Sequence, residues 1–216
     1  MIALVITALI GLGVWQLQRR AWKLDLIART GAMVKSPPVP APPPGATVGR
    51  EDEYRPVIAT GRYRAGADTY VQAVTVLGGG FWVVTPLDTG RFTVLVNRGF
   101  VPSDERGKVP PPIEPVTVRG LLRITEPGGA FLRSNDPTAD RWYSRDVAAI
   151  AAARRVGPVA PYFIDAAATP GQKWPRGGLT VVAFRNNHLV YALTWFGLAA
   201  LLGGMTWWAV RRRAAD

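Results

Sequence analysis

The chain has no cysteine, which removes thiol nucleophiles, disulfides and every metal centre built on thiolate. This does not fix the compartment, since oxidising surroundings permit disulfides without requiring them. Histidine is almost as scarce. His188 is the single imidazole among 216 residues, so any chemistry needing one uses that residue. Charge is sparse too, at 19% of residues, against roughly 25% in a typical soluble domain. No GxGxxG or GxxxxGK[ST] string follows a strand-like segment, so a nucleotide cradle is not expected. GxSxG is absent, and a Ser-His-Asp triad would have to borrow His188. The 15 Asp and Glu residues permit two-carboxylate catalysis, yet no local motif supports it. The expectation is a protein that is not an enzyme.

The formal net charge is +11. That admits nucleic acid or anionic lipid, but the arginines are scattered and no basic run is interleaved with aromatics. Membrane lipid headgroups are the expected acidic partner, and nucleic acid is not.

The apolar excess sits at the two ends. Met1–Leu17 carries no charge before Arg19, a length near the lower limit for a core about 30 Å thick. No basic segment precedes this run and no small-x-small cleavage site follows it, which argues against a secretory signal. The helical pattern continues to about Ile27, as expected for an uncleaved anchor. Leu189–Val210 is a longer uncharged run, with Trp207 and Trp208 at its far end and Arg211, Arg212 and Arg213 beyond. Aromatic residues followed by basic ones mark a membrane interface. Arg211–Arg213 place both termini in the cytoplasm, while Arg19, Arg20, Lys23 and Arg29 oppose that assignment, so charge leaves orientation open.

A Pro-rich stretch, Lys35–Gly49, cannot sustain a helix and predicts an extended spacer. From Tyr54 the apolar period shortens to two. Strands are predicted at Val57–Tyr63, Thr69–Val76, Phe81–Leu87, Phe92–Phe100, Val116–Ile124, Tyr162–Asp165 and Leu179–Phe184. Gly78-Gly79-Gly80 and Asp88-Thr89-Gly90 read as turns, and Arg145–Arg155 as one helix. The predicted fold is a membrane protein in which two transmembrane helices flank a mainly antiparallel β (α+β) domain, a sheet or small barrel with one packed helix. The predicted organisation is helix 1 with its extension over 1–28, linker over 29–53, β-rich domain over 54–185, helix 2 over 186–210 and a basic tail over 211–216.

Polar chemistry gathers at the start of the second span, at Asn186-Asn187-His188. One reading is a polar N-cap beside an interfacial histidine. The other notes that His188, Tyr191 and Trp195 follow i, i+3, i+7 spacing, one helix face, and would present an imidazole above an aromatic wall. Such a face suits a haem iron with one histidine ligand. Trp15 and Arg19 on the first helix are four residues apart, and Arg19 there would meet haem propionates. As an alternative, both are ordinary interface anchors.

Four strings, VWQLQRRAWKLDLI (Val14–Ile27), YRPVIATGRY (Tyr54–Tyr63), VLVNRGFVP (Val94–Pro102) and NNHLVYALTWFGLA (Asn186–Ala199), occur in an order that resembles the Surfeit locus protein 1 family. The resemblance implies an assembly factor for haem-copper terminal oxidases, mainly cytochrome c oxidase. It implies binding of haem a and help in its insertion into the oxidase's catalytic subunit, with the NNHL histidine, here His188, as ligand and the TWF aromatic, here Trp195, beside it. It also implies a domain on the periplasmic side, which resolves the orientation. The oxidase's catalytic subunit is the expected partner, and the haem a synthesis machinery a second candidate. A scaffold that stabilises an oxidase intermediate without holding haem is the alternative. The family often has tryptophan where Phe100 stands. The chain starts almost inside its first span, and without a transit-like leader a bacterial inner membrane is the expected home.

Overall fold

The computed structural model describes residues 1–130, 132–182, 184 and 186–214. They form two compact units, Met1–Ala32 with Ala183–Asp216, and Met33–Val182.

The first unit is a pair of helices, each long and apolar enough to cross a membrane. Helix α1 runs Ile2–Val34 and its 33 residues reach about 50 Å at 1.5 Å per residue. It continues past Ile27, where its helical pattern was expected to end, because no proline intervenes before Pro37-Pro38 and the single Gly31 is tolerated. Between Ile2 and Leu24 of α1 the less exposed positions are Ile6, Leu9, Gly13, Gln16, Arg20 and Lys23, alternating by three and four. This is the spacing of a seam facing another helix.

The second unit is built around a sheet. Its strands are β1 (Val39–Pro40), β2 (Pro56–Tyr63), β3 (Thr69–Thr75), β4 (Gly78–Asp88), β5 (Thr93–Pro102), β6 (Val116–Ile124), a small hairpin β7 (Gly129–Ala130) and β8 (Arg133–Ser134), and β9 (Val159–Ala166), with helix α2 (Val147–Arg154) before β9. The seven-stranded sheet has the order β1-β2-β6-β9-β5-β4-β3. An extra antiparallel pairing of β2 with β4, Arg62 opposite Asp88 and Tyr63 opposite Leu87, closes it into a barrel. Between the sheet and barrel alternatives, closure decides for the barrel. Pairing is mainly antiparallel, with β5 and β9 parallel.

Alternation along β5 and β9 sorts two cores. Val94 and Val96 join Tyr162, Ile164, Val57 and Leu122 inside the barrel, while Leu95 and Phe163 point outward to Trp142, Val147 and Ile150 under α2. Both faces of these strands are buried, which is why Val94, Leu95 and Val96 are apolar in succession rather than alternating with polar residues. Helix α2 starts where Asp146 accepts a hydrogen bond from the Ala149 N–H at 3.1 Å, and ends at Arg155 in the left-handed region.

Two expectations need correction. Gly78-Gly79-Gly80 opens β4; the hairpin turn is Val76-Leu77. Glycine serves at position 80 because a Cβ there would strike the Val101 carbonyl and the Phe100 ring. Leu179–Val182 and Phe184 form no strand, and Ala183 lies outside the described residues. The neighbouring β9 already has β5 on one side and β6 on the other, so no free ladder remains there. Within the Pro-rich stretch β1 pairs with β2, and the Tyr162 hydroxyl donates to the Pro42 carbonyl at 2.6 Å.

Candidate functional site

Helix α3 (His188–Arg213) begins at the histidine itself. Asn187 occupies the N-cap position but its side chain makes no capping hydrogen bond, so the polar N-cap reading holds by position only. Along α3 the sheltered positions His188, Ala192, Trp195, Ala199, Leu202 and Thr206 alternate by four and three, matching the seam of α1. Small residues let the helices approach: a Cβ on Gly13 would collide with the Phe196 ring, and Ala192 and Ala199 are buried.

Within this seam the His188 Nδ1 lies 2.7 Å from the Gln16 Oε1. An amide oxygen only accepts, so this contact is a hydrogen bond in the tautomer that carries its proton on Nδ1. Two buried polar atoms nearby in sequence, the Asn186 Oδ1 and the Trp195 Nε1, have no hydrogen-bond partner among the described residues. Buried orphans of this kind cost about 1–3 kcal/mol each, and in sequence they flank His188.

The predicted site residues separate into two groups. His188 and Trp195 share the seam. Tyr191 is 53% exposed and Trp15 52%, and both lie off the stripe of sheltered positions. Arg19 is also exposed, with its guanidinium 4.1 Å from the centre of the Trp22 ring. Gln16 is the residue that sequence reasoning passed over. Its signal was the three- and four-residue spacing from Gly13 through Gln16 to Arg20. At the far end of α3, Arg211 and Arg212 cover Trp207 and Trp208 at 4.4 and 4.0 Å, a basic and aromatic cluster suited to an interface.

The barrel unit has its own polar centre, also unforeseen. Asp165 on β9 is 4% exposed and accepts four hydrogen bonds. They come from the Asn97 Nδ2 at 2.8 Å, the Arg123 Nη1 at 2.8 Å, the Arg145 Nη1 at 3.1 Å and the Thr180 hydroxyl at 2.9 Å. Arg145 grips both oxygens of Glu126 at 2.6 and 3.1 Å, and Arg123 reaches Glu53 at 3.1 Å. The NRGFVP string belongs here. Asn97 holds Asp165, while Arg98 sits in a bulge where the β4–β5 register shifts and donates to the Val109 and Pro110 carbonyls at 3.2 and 3.0 Å. Phe100 is fully buried, edge-on to Trp82 and Trp174. Burial pushes the Tyr63 hydroxyl up to about 12, partly offset by Arg98.

Burial raises the Glu126 pKa, but its bonds and charge pairing with Arg145 outweigh that and hold it below the usual 4.5. A depressed folded-state value means stability present above the unfolded pKa and lost as pH falls through the folded one. Melting curves are therefore expected to shift to lower temperature below pH 4.5. Glu126→Gln should flatten that acid limb by up to about 1 kcal/mol, since the pair is partly exposed to solvent. An acid limb as steep as the parent's would remove Glu126 as its source.

Residues 3–200 match the SURF1 family. The Surfeit locus protein 1 of Homo sapiens is 39% identical over 219 residues, covering 88% of this chain and 70% of the human protein. The Surfeit locus protein 1 of Rattus norvegicus is 38% identical over 218 residues, again 88% of this chain and 68% of the relative. A SURF1-like protein of Monosiga brevicollis is 34% identical over 229 residues, 95% of this chain and 84% of the relative. The match takes in His188, Trp195, Gln16 and the whole barrel, and the chain belongs to the SURF1 family.

Proposed function

We propose that this protein is an assembly factor for a haem-copper terminal oxidase, cytochrome c oxidase, that takes haem a as cargo and aids its insertion into the catalytic subunit. Family membership supports the assembly role, because the resemblance carries that role with it. The observation that carries the haem reading is His188, with Nδ1 engaged by Gln16 and its second nitrogen left for iron, on the same helix face as the unpartnered Trp195 indole N–H. This donor set fits haem: an imidazole for the metal and aromatic surface for the ring. His188 would coordinate the iron, Trp195 and Tyr191 shield the ring, Trp15 extend the apolar surface and Arg19 meet the propionates. Bound iron porphyrin supplies no reaction here, and the chain's residues bind, orient and release it. The two helices anchor the protein in a bacterial inner membrane, with both termini cytoplasmic and the barrel in the periplasm. The oxidase's catalytic subunit is the partner, and the haem a synthesis machinery the source of cargo.

A second reading, a scaffold that stabilises the oxidase subunit without haem, is favoured by one observation. Tyr191 and Trp15 are half exposed rather than closed into a pocket. The deciding measurement is the absorption spectrum of protein purified from a host making haem a, beside His188→Ala. Bound haem is expected in the parent, with occupancy at least about tenfold lower in the variant. Haem retained by a folded variant moves the ligand elsewhere, and haem absent from both favours the scaffold.

A further inference from the structure

We infer that Gln16 is the positioning residue for His188: its side-chain oxygen accepts the Nδ1 proton, fixes the imidazole tautomer and holds Nε2 ready for an iron ligand bond. The inference rests on the haem reading above and adds a residue that acts through the ligand rather than on the metal.

The geometry is direct. At 2.7 Å the Nδ1 to Oε1 separation is a short, well-formed hydrogen bond between residues 172 positions apart. It joins the first turn of α3 to the middle of α1, on the seam each helix presents. Gln16 has no place in an apolar helix seam on packing grounds. A polar amide there is costly unless it is bonded, and this bond accounts for its oxygen. Gly13, one turn earlier, accommodates the Phe196 ring where any Cβ would collide, and so sets how closely α1 approaches α3.

The chemistry follows from the way protein ligands to metals are oriented. A metal-binding histidine donates its other N–H to a fixed acceptor, which selects the tautomer, stops ring rotation and raises the basicity of the coordinating nitrogen. A carboxylate acceptor pushes strongly and makes the bond to iron firm. A neutral amide pushes weakly. For a carrier that must release its cargo, the weaker acceptor suits the task. Gln16 therefore sets two properties at once: which nitrogen faces the metal, and how tightly it is held.

A single histidine makes the test clean, because imidazole nitrogen signals from labelled protein arise from His188 alone. The full chain in detergent would be labelled with 15N-histidine and examined free of haem, as the parent, Gln16→Leu and Gln16→Glu. The parent and Gln16→Glu are expected to show the Nδ1–H tautomer, and Gln16→Leu a mixture or the Nε2–H form. The same three proteins, loaded in a host making haem a, would be compared by haem affinity and by the iron–histidine stretching band of the ferrous form. Gln16→Leu is expected to bind about 10–100-fold more weakly with the band shifted down. Gln16→Glu is expected to recover affinity with the band shifted up.

An Nε2–H tautomer in the haem-free parent overturns the inference, as does a Gln16→Leu variant with unchanged affinity and band. A parent that takes up no haem overturns the haem reading. The haem-free tautomer spectra then decide the Gln16 contact separately, supporting it if leucine alone changes the tautomer and rejecting it if all three spectra agree.

Discussion

Asp165→Ala is expected to lower the stability of the barrel by about 3–5 kcal/mol, the range for breaking a buried charge network by removing one partner. For a unit of this size that is a fall in Tm of roughly 10 °C. The argument turns on what is left behind. Asn97 on β5 and Thr180 beyond β9 lose the acceptor that satisfies them, while Arg123 and Arg145 lose the carboxylate between them. Both arginines keep an outer glutamate, Glu53 or Glu126, so the cluster is weakened rather than emptied of negative charge. Those glutamate side chains are 29% and 35% exposed, and Glu53→Gln should cost no more than about 1 kcal/mol. Asp165→Asn retains one acceptor but turns an amide N–H toward a guanidinium, and should fall between. The measurement is thermal melting of the full chain in detergent, followed by circular dichroism. An Asp165→Ala protein that melts within two or three degrees of the parent would show that the strands hold without this centre.

The second large effect is expected at Gly99. Its φ of +133° is closed to other residues, and a Cβ there would land on the backbone of Arg176 and Gly177. The chain cannot draw back easily, because Phe100 and Arg176 exchange backbone hydrogen bonds at 2.9 and 2.8 Å. Gly99→Ala combines dihedral strain of about 1–3 kcal/mol with a backbone collision, and should cost about 4 kcal/mol or more, at the exceptional end for a single substitution. Gly66 is the control. It also has positive φ, +72°, but open space around it, so Gly66→Ala should cost only about 1–2 kcal/mol. Urea midpoints for the two variants separate the terms. Equal losses would mean that the close approach of Arg176 contributes nothing.

Local pattern carried most of the strands. Val116–Ile124 was read to the residue, and Thr69–Thr75 and the helix under Trp142 within two residues, because each alternates or repeats against one buried surface. Long-range pairing was not legible. Nothing in β9 announces a parallel partner, and the pair that closes the barrel rests on Arg62 and Tyr63, ordinary residues at a strand end. The Gly78–Gly80 triplet misled because glycine marks both turns and close approaches, and only the Phe100 ring packed above it separates the two. The Asp165 centre draws on Asn97, Arg123, Glu126, Arg145 and Thr180, scattered over more than eighty positions, and spacing cannot gather them. The seam was half legible. His188 and Trp195 were found from spacing on one helix, while Gln16 required the partner helix, whose polar residues looked like a membrane-edge cluster centred on Trp15 and Arg19.

The place of β9 has a consequence for how the protein is made. It is the last long strand in the chain, yet it sits between β6 and β5 in the sheet. Until residue 166 has left the ribosome, the barrel is missing a stave from its wall, and the inner faces of β5 and β6 have nothing to cover them. The earlier strands can form the hairpins β3 with β4 and β4 with β5 and the pairings of β2 with β1 and β4, while the pairing of β2 with β6 spans a loop that is slow to close. Half-made chains therefore expose apolar strand faces for as long as it takes to synthesise α2 and β9. Such a barrel snaps shut late, about two dozen residues before the start of the second membrane helix, so folding of the domain and delivery of that helix fall in the same short interval of synthesis.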